Sequence, residues 1–420
     1  MVSEAKTLEP VSDDAQPNVP VKVGIALSVG ALLWLSGYVG TLTVLLPAKI
    51  AAIDDSQKAT LLATVSSAAM VVATLANIIL GAFSDMTRSR LGRRTPWLLA
   101  GSVGACIMLL LLIKAHSLTL ILVVWLCYQV FLNAIVAPMV AIIADRVAPR
   151  HRGIISSFYA IGISLGMYGG TFIAAQFIHH IDLGLIVMAV LTLCSGGVCS
   201  VLAKEGSSLH MAKQKFDAAT LWRNFSLPTK NAGDYYLALL GKLMLVAGTS
   251  AVSGMVLYIL TDYAGVAKDG GDLTFFLSAV SMIMMITAIV MSASAGYLAD
   301  KVGRIKAPVL LTCIITSAGL FFPFISSSPW MLLVYAVLAG LGYGAFQAVD
   351  QALNVAVLPN MEHAAKDLGI LNLSNTLGQI MGPVLAAAVI SLYGYRPLFL
   401  VAAVITLMGT IFIMLIKKVR

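Results

Sequence analysis

Apolar residues in this chain gather into twelve long runs separated by short polar breaks. The runs cover approximately 22–47, 59–83, 96–115, 117–144, 154–178 and 183–203. After a polar gap they resume at 234–260, 273–298, 307–327, 330–357, 369–392 and 397–416. A helix rises roughly 1.5 Å per residue, so ~20 apolar residues cross a hydrocarbon core ~30 Å thick. Each run therefore predicts one transmembrane helix, the fourth and tenth long enough to tilt or to extend past the membrane. The predicted fold class is an all-α membrane protein with twelve transmembrane helices.

The pattern repeats. Gly81-Ala-Phe-Ser-Asp85 follows span two and Gly296-Tyr-Leu-Ala-Asp300 follows span eight, each succeeded by a glycine–arginine pair, Gly92-Arg93 and Gly303-Arg304. Gly153, Gly162 and Gly166 of span five have the spacing of Gly369, Gly378 and Gly382 of span eleven, and Pro149 answers Pro359. Four correspondences in the same order, at an offset of about 210 to 216 residues, indicate a 6+6 duplication. The expected domains are a disordered tail over 1–21, a six-helix bundle over 22–203, a polar linker over 204–233 with a short amphipathic helix around Phe216 to Phe225, a second bundle over 234–416, and a short tail over 417–420.

Composition supports lipid as the main solvent. Only 11% of the 420 residues are charged and 59% are hydrophobic, with a mean hydropathy of +0.94, against about 25% charged in soluble proteins. The net charge of +8 does not indicate nucleic acid, because the basic residues sit in short loops rather than along one face. With the N-terminus in the cytoplasm, 21 of the 27 Lys and Arg fall in cytoplasmic segments, five in external loops and one, Lys242, within a span. That split satisfies the positive-inside rule and predicts both termini inside, in the cell (inner) membrane. Residues 1–20 lack a basic start and an apolar core, so they do not read as a signal peptide. Cys106, Cys127, Cys194, Cys199 and Cys313 all lie in apolar runs with no metal-ligand spacing, and read as small hydrophobic filler. No metal or cofactor is expected.

Candidate chemistry lies in the few polar residues that the spans retain. Lys242 in span seven and Asp350 in span ten are the ionisable residues well inside the apolar runs. A lone charge there costs ~2.5–3.5 kcal/mol on insertion scales, so such residues face cavities and find partners. Asp350 is the candidate proton-coupling carboxylate, with Lys242 close enough to tune it; a fixed bridge between the two is the bland alternative. Polar side chains also fall on helical stripes: Trp34, Tyr38 and Thr41 on span one; Gln129 and Asn133 on span four; Ser157, Ser164, Tyr168 and Thr171 on span five; Asn372, Asn375 and Gln379 on span eleven; and Gln347 one turn from Asp350. Of these, Trp34, Tyr38, Gln129, Asn133, Ser164, Tyr168, Gln347, Asn372, Asn375 and Gln379 are the candidate substrate contacts. Amides, hydroxyls and aromatic faces suit a sugar, whose hydroxyls need hydrogen bonds and whose C–H faces stack on rings. The ridge Gly162, Gly166, Gly170, with Gly378 and Gly382, suits either a seam where two halves rock or plain close packing.

The stretch Gly81-Ala-Phe-Ser-Asp85-Met-Thr-Arg88-Ser-Arg90-Leu-Gly92-Arg93-Arg94-Thr-Pro96-Trp97 resembles, with an insertion, the loop motif of the major facilitator superfamily. Its variant form is similar to that of sucrose/proton symporters and of sodium–melibiose-type glycoside–cation symporters. Thr261-Asp262-Tyr263-Ala264-Gly265 and the series Asn133, Pro138, Ala141, Ala144, Asp145 also resemble the sucrose-type branch. The resemblance implies a 6+6 pseudo-symmetric bundle with a substrate site near the midplane. It also implies a cytoplasmic gate built from Gly81, Asp85, Arg88, Arg90, Gly92, Arg93, Arg94 and Asp145, with Asp300 and Arg304 from the second half. Asp85 is expected against a helix N-terminus, and the arginines against lipid phosphates or carboxylates. The aspartates of the melibiose type fall here on Ala73 and Asn77, and the charged pair of the sucrose type on Gln129 and Val140, so the ion chemistry of those branches does not carry over.

The leading expectation is a proton-coupled symporter for a small polar solute, a carbohydrate or glycoside, working as a monomer among membrane lipids. The alternative is a proton-driven efflux antiporter for drugs or metabolites. A polytopic receptor or membrane enzyme is the third reading, and no catalytic motif supports it.

Overall fold

The computed structural model describes residues 12–14, 16–210, 232–266, 271–302, 306–358 and 364–417, with backbone only at 293, 295–302, 306–308, 347–349, 351–352, 355, 364–366 and 369. The expected linker helix around Phe216 to Phe225, together with Gly303, Arg304 and Pro359, lies outside the described residues, as do the side chains of Gln347 and Asp300.

Twelve helical spans follow one another, and no strand occurs among the described residues. They are α1 (Val21–Ile53), α2 (Lys58–Met86), α3 (Thr95–Ile113), α4 (Leu118–Arg146), α5 (Arg152–Ala175), α6 (Ile181–Leu202), α7 (Gly233–Ser253), α8 (Leu273–Val302), α9 (Lys306–Ile325), α10 (Pro329–Ala356), α11 (Ala364–Tyr393) and α12 (Tyr395–Met414). Eleven of these are long and apolar enough to cross a membrane, and the described side chains of α9 form a shorter apolar helix, Val309–Ile325. Local chemistry sets several ends. Before α2, Asp54 accepts from the Ser56 hydroxyl first, then from the amides of Gln57 and Ser56, which together hold its carboxyl below the usual range. Ser117 accepts from Leu120 N at the start of α4. Pro96 stands in the first turn of α3, where its missing N–H costs no bond. Gly394, at φ 83°, makes the tight turn from α11 to α12, a conformation that side chains resist.

The chain divides into two compact units. The first gathers residues 1–49 and 68–217; the second gathers 50–67 and 218–420. The division falls within α2, so its first turns belong to the second unit and the rest to the first. In the first unit α1 packs on α5 and α6, and α3 on α4 and α6; in the second α7 packs on α11 and α12, and α9 on α10 and α12. These four pairings recur in the same order in both units, and α8 also packs on α10 in the second.

Lipid tails are as apolar as leucine, so close packing rather than hydrophobicity holds such helices together. The glycine ridge does that work inside each unit. A β-carbon at Gly162, Gly166 or Gly170 of α5 would stand 2.1, 2.9 or 2.6 Å from the carbonyl oxygens of Ser28, Leu32 and Ser36 on α1. Gly378 and Gly382 of α11 approach Val246 and Ala247 of α7 in the same way. The ridge thus packs against the first helix of its own half.

Two π-turns occupy corresponding places. One, Thr41–Leu45, interrupts α1; the other, Ile259–Tyr263, follows α7 after a break at Gly254 and a short turn, Val256–Tyr258. In the second, Ala264 N reaches back five residues to Ile259 O at 2.8 Å. Such wide turns recur at functional sites.

Candidate functional site

Among the described residues, the site residues expected from sequence fall mainly at three places, two in the first unit and one in the second.

In the second unit, Lys242 Nζ donates to Asp350 Oδ2 at 2.6 Å. Asn354, one turn beyond Asp350, donates to the same oxygen at 3.0 Å, and Lys242 also reaches Asn372 Oδ1 at 3.4 Å. The Lys242 and Asp350 side chains are only 3% and 6% exposed. Lys242 lies nine residues from the start of α7 and Asp350 six from the end of α10, some ~9–13 Å from those helix ends by helical rise. The pair expected from sequence therefore exists, wrapped by two amides. A nearby cavity lined by Thr249, Thr312, Thr316, Tyr343 and Phe346 has room for about 20 Å³, which fits a single water and no organic solute.

In the first unit, aromatic and amide side chains join α1, α2 and α4. Tyr38 stacks on Trp125 with ring centroids 6.1 Å apart, and Trp125 on Tyr128 at 4.8 Å. Tyr38 lies beside Gln129 and contacts the sulfur of Met70 at 3.7 Å. Asn77 donates to Asn133 Oδ1 at 3.0 Å, and Asn133 to the Gln129 carbonyl at 2.9 Å. Trp34 Nε1, Trp125 Nε1 and Gln129 Nε2 are buried without a hydrogen-bond partner. A buried orphan donor is costly, and each of these three asks for an acceptor.

The third place is the turn between α2 and α3. Asp145 takes both Arg93 and Arg94, the latter through Nε at 2.8 Å. Arg94 also pairs with Asp85 at 2.5 Å and donates to Ser84 Oγ at 2.9 Å. Burial works against the Arg94 charge, but Asp145 and then Asp85 outweigh it and raise its pKa. Asp85 was expected at a helix N-terminus. It instead meets a guanidinium, because Glu205 occupies the start of α3, accepting from Arg94 N, Thr95 N and Thr95 Oγ1 at 2.8–3.0 Å. Gly92, at φ 95°, lets the turn pass against Glu205. Arg88 donates to the Leu209 carbonyl and Ser89 N to Ser208 Oγ, so residues 205–209 clasp this turn. Arg90 is exposed.

Other expected contacts fall elsewhere. Ser164 donates to Ala160 O of its own helix. Tyr168 is buried on α5. Asn375 and Gln379 follow Asn372 along α11, with Gln379 exposed. In the expected disordered tail, Gln16 bonds Ala148 N and Arg146 O through its amide, and Asp13 accepts from Arg150 N. Sequence reading missed Asn354, Trp125, Tyr128 and Glu205. Asn354 alone carried a signal, standing four residues from Asp350 on the same helical face.

A profile of the Major Facilitator Superfamily matches residues 25–294 and 238–420. The chain belongs to that superfamily. The solved structures whose fold it shares are transporters. Among curated proteins it is 28% identical over 162 residues to the multidrug resistance protein MdtG of Escherichia fergusonii, a match covering 38% of this chain and 39% of that one. MdtG of Serratia proteamaculans is 25% identical over 284 residues, 65% of this chain and 64% of its own. The aligned stretches thus fall short of two thirds of these relatives. The fold resembles a bacterial homolog of the human lysosomal transporter Spinster (TM-score 0.74, 12% identity, covering 96% and 97% of the two chains) and the nucleoside transporter NupG (TM-score 0.71, 15% identity, 96% and 100%). The curated relatives named here are named for drug resistance, not for sucrose or glycoside symport.

Proposed function

We propose that the protein is a proton-driven exporter of small amphipathic organic solutes, with Asp350 as the proton-coupling carboxylate and the Tyr38–Trp125–Gln129–Asn133 cluster as solute contacts. The observation that carries this reading is the buried Lys242–Asp350 pair. A proton arriving at Asp350 converts its carboxylate to a carboxylic acid and leaves Lys242 without its counter-ion. Stranding one partner of a buried pair costs about 3–5 kcal/mol. Shifting a two-state equilibrium from 1:99 to 99:1 takes ~5.5 kcal/mol, so one protonation supplies most of a conformational switch. Asn354 and Asn372 keep the freed groups hydrogen-bonded and the switch reversible. The aromatic ladder suits solutes with flat apolar faces, and the orphan N–H donors suit acceptors on them. Export is preferred because the curated relatives carry drug-resistance names.

The Arg93–Arg94–Asp145 network, with Asp85, acts as the inner gate, and the charge distribution supports both termini in the cytoplasm. A second reading, proton-coupled sugar import by a monomer, is favoured by the Asn77–Asn133–Gln129 amides, which match sugar hydroxyls. Flux in proteoliposomes with an imposed pH gradient separates the two. Expulsion of amphipathic aromatic dyes against their gradient supports export; concentration of radiolabelled sugars with the proton supports import; neither flux refutes both.

A further inference from the structure

Asp262 stands apart from the Lys242–Asp350 site, in the Thr261-Asp262-Tyr263-Ala264-Gly265 segment, and the π-turn at Ile259–Tyr263 carries it. Both of its carboxylate oxygens are engaged. Lys58 Nζ lies 2.8 Å from Oδ2 and 2.9 Å from Oδ1. The Tyr395 hydroxyl donates to Oδ2 at 2.7 Å, and Thr261 Oγ1 to Oδ1 at 2.9 Å. Three separate pieces of chain thus meet on one carboxylate: the start of α2, the π-turn, and the start of α12. Lys58 also holds Asp55 at 2.7 Å and stands 5.2 Å from the Tyr258 ring centre.

Residues 58–67 of α2 belong to the second unit, while the rest of the helix belongs to the first. Ser67 closes that stretch by donating to Ile380 O at 3.0 Å. The other end of α2 carries Asp85, paired with Arg94. A helix of 29 residues is a rod of ~43 Å, so two clusters grip one rod at opposite ends.

We propose that Lys58, Asp262 and Tyr395 form a latch that closes the transporter on the side where α2 begins, and that releasing residues 58–67 from the second unit is the opening step there. The proposal rests on the transport reading above. Its chemistry suits repeated opening. Asp262 is 27% exposed, so water can replace Lys58 on it. Asp55, 79% exposed and one turn back, remains as a partner when Lys58 leaves. Parting this pair therefore strands no buried charge, unlike parting Lys242 from Asp350. Tyr395 and Lys58 are positioning residues: they hold the closed state and touch no solute.

The test is the labelling rate of a Ser67→Cys reporter by a membrane-impermeant maleimide in intact membranes, with the parent protein as background. Lys58→Met and Asp262→Asn should each speed labelling about five- to tenfold, the shift expected for losing a partly exposed, hydrogen-bonded ion pair. Lys58→Arg should label at the wild-type rate, and Tyr395→Phe should fall between. The Lys58→Met/Asp262→Asn double variant should be no faster than either single, because partners in one interaction are not additive. Unchanged labelling in the Met and Asn variants, equal acceleration in Lys58→Arg, or additive effects in the double variant would each overturn the latch. Faster labelling in a protein that moves no solute with protons would leave the latch standing and remove only the transport reading.

Discussion

Glu205 shows how much one side chain can hold. Its Oε2 atom satisfies two amides at the start of α3 and the Thr95 hydroxyl, at a helix end whose partial positive charge favours an anion. Glu205→Gln keeps the shape and removes the charge. It is expected to lower stability by about 1–3 kcal/mol, the usual loss for charge-assisted bonds, read as a lower midpoint of thermal unfolding in detergent. The sequence carried no hint of this, since a carboxylate in a polar linker is ordinary. Asp350 and Lys242 were legible for the opposite reason: a charge in an apolar run is expensive and must be explained. Trp125 and Tyr128 were hidden because aromatic rings among leucines and valines look the same whether they face lipid, core or solute.

At the scale of the element, α5 and α11 are defined by what they lack. The Gly162 position leaves no room for a side chain against the Ser28 carbonyl, and backbone cannot yield as a rotamer does. Gly162→Val should force α1 and α5 apart and cost at least the ~1–3 kcal/mol typical of overpacking, whereas the same change at Gly169, where an added carbon meets nothing within 4 Å, should cost little; comparing the two unfolding midpoints checks this. Helix limits were largely visible in hydropathy, as in the run 59–83 against Lys58–Met86. The break at Gly254 and the π-turns were not. They are changes of backbone hydrogen bonding inside continuous apolar sequence, and nothing in composition marks them. Asp262 stood out in its Thr261–Gly265 motif, but its partners did not, because they come from α2 and α12, far away in the chain.

For the whole molecule, the duplication seen in sequence appears as two units with matching packing order and different chemistry. The first holds the aromatic and amide surface; the second holds the buried ion pair. Motif likeness alone pointed toward sugar symporters, while the relatives found by comparison are named for drug resistance. A gate motif reports how such a bundle opens and says little about which solute it carries, and at Gln129 this chain lacks the charge that the sucrose-type resemblance implies. In the proposed function, protonation of Asp350 drives solute movement. The most direct test is Asp350→Asn in proteoliposomes, comparing solute exchange at equal pH with uphill movement under a pH gradient. Exchange should survive while uphill movement is lost. Uphill movement at the wild-type rate in Asp350→Asn would contradict it.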